Sequence, residues 1–261
     1  MRPMELFLQF FPNFLLIFCR ISSFLITAPV FSTRNVPATF KIGLAFFISL
    51  IAFALVGLKQ PTEIDGLYFL QVLKEVLIGL LIGFAAYMFF TAVQIAGSFI
   101  DMQMGFAIAN MIDPMTGASS PLMGNFKFML AMLLFLSFNG HHYLIQAIVE
   151  SYQWAPLDSV LFARLYDGSI STFLVETFAK VFAIAFQMSA PIVVALFLAD
   201  IGLGILAKTA PQFNIFVVGL PLKIMLGLVL LLLMVTSFQG IFSGLFARML
   251  ESLQNLLRLL V

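Results

Sequence analysis

The residue types that most often do chemistry in proteins are sparse in this sequence and poorly spaced for it. His141 and His142 are adjacent, so on a helix their side chains would point ~100° apart, which makes them a poor pair of metal ligands. Cys19 is the single cysteine, which excludes an internal disulfide and a cysteine-based zinc site. The sequence contains no HExxH motif, nucleophile elbow or phosphate-binding GxxxxGK[ST] loop. We therefore expect no catalytic, cofactor-binding or metal-binding residues, and a protein that is not an enzyme.

Charged residues that interrupt apolar segments are the other candidates for function. An ionised side chain at the centre of a bilayer costs at least ~2.5–3.5 kcal/mol, so such groups normally face protein or water. Glu176 and Lys180 lie four residues apart with the acid first, the favourable order on one helix face. This polar stripe either faces another subunit or an aqueous lumen, or it is a self-satisfied pair near a helix end. Arg20 and Asp200 also need partners, and that of Arg20 must come from elsewhere in the chain or from another protein.

The longest loop-like segment between apolar runs, 101–125, is rich in methionine. It carries five of the 14 methionines, and Asp113-Pro114, Gly117, Pro121 and Gly124-Asn125 predict breaks in any helix there. The segment is nevertheless apolar, so we expect it to pack against something. Methionine is long, unbranched and polarizable, and it suits irregular or changing surfaces. Two interpretations stay open on composition alone, a conformable seal and an ordinary loop that fills gaps between helices.

The composition sets the class of protein to which these residues belong. Hydrophobic residues make up 62% of the chain and charged residues 10%, with a net charge of +1, whereas soluble proteins average ~45–50% and ~25%. We therefore expect a membrane protein, or one buried in a membrane-associated assembly, without a nucleic-acid partner. The first apolar run continues past Arg20 to Phe31 without a small-residue cleavage site, so we expect it to be retained rather than removed as a signal peptide.

Apolar runs predict an all-α, polytopic helical protein. The runs are 6–31, 40–58, 67–100, 126–149, 171–206 and 217–247. Their charge-free parts 76–100, 128–149 and 224–247 are each long enough to span a ~30 Å hydrocarbon core. Lysine and arginine show no bias towards one side of an alternating six-span arrangement, so partner proteins set the orientation or the helices do not all cross in this pattern.

Local patterns refine this arrangement. Gly79-xxx-Gly83 and Gly240-xxx-Gly244 predict closely packed helices. Residues 207–223 predict a helix–loop–helix turn with Gly219 and Pro221 among its breakers. Residues 246–260 carry apolar side chains on one face and polar ones on the other at helical spacing. This pattern predicts an amphipathic helix that lies on a membrane surface or docks on a partner.

Two stretches together carry a family resemblance. The first is Asp101-x-Gln103-x-Gly105 with Asp113-Pro114 and Phe138-Asn139-Gly140-His141. The second is PQFNIFVVGLPLK, from Pro211 to Lys223. With Ala28-Pro29-Val30-Phe31, these stretches make the whole chain resemble the FliR/SctT family of type III export-gate proteins, the flagellar branch more than the virulence branch. Lys208 departs from the pattern, because the family often has arginine there, and lysine lacks the planar fork for bidentate contacts.

The resemblance implies a P-like helical part fused to a Q-like helical hairpin in a single export-gate domain, 1–261. It implies a core subunit of the flagellar type III export channel, needed for flagellar assembly and protein export, in the bacterial inner membrane and flagellar basal body. The implied partners are FliP and FliQ in a hetero-oligomeric gate, FlhB, unfolded exported proteins and membrane lipid. Helices lifted out of the bilayer into such a complex would explain the missing charge bias.

Specific residues receive roles through the same resemblance. The Met-rich loop would be the plug of the channel, with Met102, Met104, Gly105, Phe106, Ile108, Met111, Asp113, Pro114, Met115 and Gly117 as plug or gate residues. The residues expected to carry buried charge or subunit contacts are Arg20, Glu176, Lys180, Asp200, Lys208, Pro211, Gln212, Asn214 and Lys223.

Other classes of protein remain as alternatives. An SctT-type subunit of a virulence secretion system would share these motifs. A secondary transporter for a small solute would need charges at the membrane midplane and usually internal repeats. Glu176, Lys180 and Pro191 fit that class loosely, but no matching half occurs in the sequence. A passive scaffold would co-purify with FliP and FliQ without channel activity.

Overall fold

A computed structural model describes the chain except for residues 1–2, 34, 59–60, 63, 107–120, 158–165, 211, 213 and 261. The described part contains helices and no strands, which confirms the all-α class. The helices are α1 (Pro3–Thr27), α2 (Ala38–Ala52) with a π-helical turn at Phe53–Gly57, α3 (Tyr68–Met104), α4 (Leu122–Ser137), α5 (Gly140–Trp154), α6 (Ser169–Thr209) and α7 (Ile215–Leu259). Within the described ranges, five helices are long and apolar enough to cross a membrane, or six crossings are possible if α4 and α5 count as one.

The apolar run 128–149, predicted as one span, is divided between two helices in the structure. Asn139 adopts the left-handed conformation with φ 56°, and α4 and α5 are bent by 71° at this point. Asparagine tolerates this conformation better than most residues. The local break at Phe138 and Asn139 therefore overrides the apolar composition of the run.

Two predicted loops are shorter than the breakers suggested. Asp101–Met104 is the last turn of α3, and Gly124 and Asn125 lie in the first turn of α4 rather than in a loop. Helix α6 ends at Thr209 and α7 begins at Ile215, so a break between two helices is confirmed, but residues 215–223 of the predicted turn are helical. Gly219 and Pro221 lie inside α7, where the proline costs one backbone hydrogen bond without ending the helix.

The amphipathic segment near the end of the chain is the continuation of α7. Its apolar face is buried in the chain itself, so the predicted docking on a membrane or partner is not needed to cover that face. The buried residues are Met249, Leu253, Leu256, Leu257 and Leu260. Arg248, Glu251 and Arg258 on the other face are exposed.

The two predicted glycine pairs differ in how closely a neighbouring helix approaches them. A Cβ atom at Gly79 would lie 2.2 Å from the carbonyl oxygen of Arg20, so α1 and α3 cross at a distance that only glycine permits. Gly83 is similarly close to Thr27. A Cβ atom at Gly240 or Gly244 would meet no atom of another described helix within 4 Å, so the close packing predicted for this pair is not found within the described part of the chain.

The chain divides into two compact units, one of 1–88, 139–177 and 247–261, the other of 89–138 and 178–246. In the first unit, the Phe14 ring packs edge-on against Phe46 and Phe53 at centroid distances of 5.7 and 5.9 Å. In the second unit, Phe135 packs edge-on against Phe90 at 5.1 Å, and Phe246 lies 4.9 Å from Phe135. The single domain over 1–261 stays a prediction.

A strained residue joins α1 to α2. Val30 has φ 73°, and a β-branched residue at positive φ is a genuine outlier that costs ~1–3 kcal/mol. The turn is held by the Ser32 amide, which donates to Ala28 O at 2.9 Å, and by the Thr33 hydroxyl, which donates to Val30 O at 3.0 Å. The surrounding hydrogen bonds therefore impose a conformation that valine disfavours.

We expect Val30→Gly to leave the free energy of unfolding unchanged or to raise it by about 1 kcal/mol, because relief of strain offsets the entropy cost of glycine. Val36→Gly, in the same connection but without positive φ, should lower it by about 1 kcal/mol. Thermal unfolding in detergent compares the two variants. Equal losses at both positions would show that Val30 is not strained.

Candidate functional site

The polar residues of interest form three clusters, each within one unit. We call them the Arg20 cluster, the Asp101 cap and the Asp200 bridge. Among the described residues, no group of three or more His, Cys, Asp or Glu could hold a metal ion. Each cluster joins two or more helices of its unit.

The Arg20 cluster lies in the first unit and joins α1, α3 and α5. Arg20 and Glu75 are both fully buried, and Nε and Nη2 of Arg20 donate to the two carboxylate oxygens at 2.5 and 3.0 Å. Nη1 donates to the Ser151 hydroxyl at 3.0 Å and Nη2 to Ala155 O at 2.8 Å. The guanidinium also lies 4.1 Å from the centroid of the Tyr152 ring. Such a bidentate, fully hydrogen-bonded pair is the arrangement in which burial of two ions is tolerated.

Lys74 extends this cluster. Its ammonium lies 3.4 Å from Oε1 of Glu75 and donates to Leu157 O. Arg20 and Lys74 thus bind carbonyls at and just beyond the C-terminal end of α5, the negative end of the helix dipole. The partner of Arg20 comes from elsewhere in the chain, one of the two possibilities left open by the sequence. Glu75 and Lys74 were not predicted as residues of a buried charge cluster, although both interrupt the apolar run 67–100.

The Asp101 cap lies in the second unit and joins α3 to the start of α4. The N-cap residue of α4 is Pro121, which supplies no side-chain hydrogen bond. Asp101 supplies it instead, because its carboxylate accepts the Met123 amide at 3.0 and 3.1 Å and the Gly124 amide at 3.2 Å. Only 3% of Asp101 is exposed. A carboxylate at this position satisfies free amides and complements the positive end of the helix dipole.

A glycine crossing brings Asp101 within reach. A Cβ atom at Gly97 would lie 2.2 Å from Cα of Gly124, so α3 and α4 touch backbone to backbone there. One heptad before Asp101, the Gln94 amide donates to Asn125 Oδ1 at 3.4 Å. Positions 94, 97 and 101 lie on one face of α3. That face contacts the first turn of α4, so the last turns of α3 and the first turn of α4 lie side by side.

The Asp200 bridge, also in the second unit, joins α3, α6 and α7. Lys223 Nζ lies 2.9 Å from both carboxylate oxygens of Asp200, and Gln103 donates to Asp200 Oδ2 at 2.8 Å. The Asp200 side chain is 38% exposed and that of Lys223 18%. Exposed pairs contribute about 0–1 kcal/mol, whereas removal of one partner from a buried pair costs about 3–5 kcal/mol. The Arg20 cluster is therefore the stronger constraint.

Part of the predicted plug is described. Met104 is fully buried, and its side chain occupies the space beside Gly227, where a Cβ atom would lie 2.7 Å from Met104 Cε. Gly105 has φ 92°, which favours glycine, and Met102 is exposed. The Phe106 amide donates to Asp101 O at 3.0 Å. Ile108, Met111, Asp113, Pro114, Met115 and Gly117 lie outside the described residues.

Several residues predicted to carry buried charge or subunit contacts are at the surface of the chain. The exposed ones are Glu176, Lys180, Lys208, Gln212 and Asn214. Glu176 is therefore not buried within the chain, and contact of these residues with another subunit stays a prediction. Pro211 lies outside the described residues.

Lys127 is a buried cation that the sequence did not single out. The residue is 2% exposed, and its Nζ lies 5.7 Å from the centroid of the Phe238 ring. The signal available in the sequence was a charged residue inside the predicted apolar run 126–149, directly after Phe126. The ring face compensates part of the cost of its burial.

Comparison with known proteins agrees with these features. The family model "Bacterial export proteins, family 1" matches residues 11–249. The chain is 48% identical over 256 residues to the flagellar biosynthetic protein FliR of Bacillus subtilis (strain 168), covering 98% of each chain. FliR of Escherichia coli (strain K12) is 31% identical over 215 residues, 81% of this chain and 80% of that protein. FliR of Caulobacter vibrioides is 30% identical over 240 residues, 90% of this chain and 93% of that protein. With a family match that spans nearly all of the helices, this chain belongs to the FliR family of flagellar bacterial export proteins.

Proposed function

We propose that this chain is a core subunit of the flagellar type III protein-export channel, which it forms with FliP and FliQ in the bacterial inner membrane, with FlhB associated. One observation carries the proposal. In the most apolar 18-residue stretches of α6 and α7 only 11% and 17% of residues are buried, against 61% in that of α3. Apolar surface of this extent is covered by lipid or by other subunits. In a channel, the neighbouring helices are those of FliP and FliQ, and unfolded exported proteins pass between them.

The Met-rich segment after Met104 closes this channel at rest. A channel wide enough for an unfolded chain leaks ions unless something deformable fills it. Methionine and glycine provide that adaptability, because their contacts are individually weak and their shapes adjust. The Asp101 cap supports this role, since it holds the end of α3 and the start of α4 together at the base of the segment.

The charges in the chain favour a structural role over solute transport. A small-solute transporter needs polar groups free to bind its substrate near the membrane midplane. Arg20 instead makes four hydrogen bonds to Glu75, Ser151 and Ala155. Asp200 is bound by Lys223 and Gln103. The matched relatives are flagellar proteins, which favours the flagellar apparatus over a virulence system.

We expect the chain to be unstable when it is produced alone. Arg20 and Asp200 have partners within the chain, so the reason is the exposed apolar surface of α6 and α7 rather than unpaired charge. Expression with and without FliP and FliQ, followed by detergent extraction and size-exclusion chromatography, tests this. A monodisperse, well-folded lone monomer would contradict the proposal.

We expect Glu75→Gln to lower stability by about 3–5 kcal/mol, because it leaves the buried Arg20 and Lys74 without their carboxylate. Arg20→Met should cost less, because Lys74 still faces Glu75. The triple replacement Arg20→Met, Lys74→Met and Glu75→Leu removes all three charges, so it should cost clearly less than the sum of the single replacements and should retain export. Thermal unfolding of the co-purified complex and motility measure the two effects. Asp200→Ala, in the half-exposed bridge, should cost about 1 kcal/mol or less. A stable triple variant without export would favour a transport role for these charges.

We expect deletion of 106–121, or replacement of Met104, Met111 and Met115 by serine, to raise the resting permeability of cells to ions and small solutes. The measurement is membrane conductance at equal levels of assembled complex. Met129→Ser, an exposed methionine of α4, is the matched control and should not leak. An unchanged leak in the deletion would show that the loop only fills gaps between helices.

A further inference from the structure

We propose that α4 and α7 separate locally at Lys127 while the rest of their contact stays closed, and that α7 bends at Gly240 and Gly244 to allow this. Two independent observations carry the proposal. One is a buried cation on α4 without an ion pair among the described residues, and the other is a pair of glycines in α7 that no described neighbour requires. Both lie in the second unit. Only the use of this separation in export rests on the proposed function.

The ammonium of Lys127 lacks the compensation that the other buried cations have. Arg20 and Lys74 each bind Glu75 and a main-chain carbonyl. Within the described part of the chain, the contact found for Lys127 is the ring of Phe238, whose centroid is 5.7 Å away, near the ~6 Å limit for such contacts. A distant ring offsets only part of the cost of burying a charge. The closed contact between α4 and α7 therefore carries a cost that opening removes.

This cost falls on the closed form alone. When α4 and α7 separate at this position, the long lysine side chain returns its ammonium to water, so the charge is buried in one form and hydrated in the other. The difference in hydration shifts the equilibrium between the two forms towards opening. Methionine is similar in length and carries no charge, so Lys127→Met should favour the closed form.

The contact between α4 and α7 is uneven along its length. Away from Lys127, the Phe135 ring lies 4.9 Å from that of Phe246, and the Phe138 ring lies 6.3 Å from the same partner. Phe135 also packs edge-on against Phe90 of α3 at 5.1 Å, so α4 stays with α3. The weakly held part is therefore the end at Lys127, and α7 is the helix that moves there.

Helix α7 has a place to bend between these two ends. Gly240 and Gly244 lie between Phe238 and Phe246 along the helix. A Cβ atom at either glycine would meet no atom within 4 Å, so packing within the described part of the chain does not require them. Glycine weakens a helix, and Gly/Ser pairs such as Ser243 with Gly244 are common places for kinks. A bend there moves Phe238 away from α4 and leaves Phe246 in place.

The test measures how often Ala131 becomes accessible, a fully buried residue one turn after Lys127 on α4. In a Cys19→Ala background, Ala131→Cys is introduced into the assembled complex, and its rate of reaction with N-ethylmaleimide is followed. Ala45→Cys, equally buried on α2 in the first unit, reports openings elsewhere. Because a buried thiol reacts only in the open form, the rate follows the population of that form.

We expect Lys127→Met to slow labelling at position 131 at least about tenfold, because burial of an unpaired charge is worth more than that in an equilibrium constant. Lys127→Arg, which keeps the charge, should slow it less. Gly240→Ala with Gly244→Ala should slow it several-fold, since the added methyl groups stiffen the helix without a clash. Gly202→Ala with Gly204→Ala is the matched control, because these glycines of α6 also have open space around them.

Labelling at position 45 should stay the same in every variant. An unchanged rate at position 131 in Lys127→Met, or in the variant with alanine at both glycines of α7, overturns the inference. An equal effect at position 45 also overturns it, because it indicates general unfolding rather than local separation. Labelling of Ala131→Cys as fast as that of the exposed Met129→Cys would show that the two helices are not closed at rest, which contradicts the proposal as well.

Export is measured in cells with the same variants, without the added cysteines and at equal levels of complex. Slower export in Lys127→Met, with export retained in Lys127→Arg, supports the use of the separation in transport. Slower labelling with unchanged export overturns that use. If loss of the whole chain leaves export unchanged, the proposed function fails, and the labelling rates still decide whether α4 and α7 separate.

Discussion

The Arg20–Glu75 ion pair is the interaction on which the first unit depends. Burial of a single ion in apolar surroundings costs several kcal/mol, so neither residue can occupy its place without the other. Glu75 is held on α3, Arg20 on α1, and the remaining donors of Arg20 hold the end of α5. One pair therefore fixes three helices that are far apart in sequence.

In the second unit, too, a buried charge binds the end of a helix, but this charge is negative. Cations on α1 and α3 bind carbonyls just beyond the C-terminal end of α5, and an anion on α3 binds the N-terminal amides of α4. Each sign matches the partial charge at that helix end. Glycine makes both arrangements possible, because Gly79 and Gly97 let neighbouring backbones approach close enough for short polar contacts. On α3, the glycines thus bring the neighbouring helices close enough for the charged side chains to bind them.

The features that could be predicted from the sequence are those set by residues a few positions apart. The all-α class, the amphipathic end of α7 and the turn between α6 and α7 follow from composition and periodicity, which act over a few residues. Gly124 was wrongly taken as a breaker because its helix is stabilised by Asp101, 23 residues earlier. The pairing of Arg20 with Glu75 over 55 residues was equally invisible. Helical spacing placed Glu176 and Lys180 on one face, and both are exposed in the chain, but spacing alone could not say what covers that face.

The left-handed residue Asn139 also bears on the sidedness of the protein. If each of the five long apolar helices crosses the membrane once, α2, α3 and α6 separate the α1–α2 turn from the α6–α7 loop, and the two lie on opposite sides. A sixth crossing by α4 and α5 would bring them to the same side. Whether α4 and α5, on either side of the 71° bend, together make one crossing therefore decides the parity, and with it which compartment the connection between α6 and α7 faces.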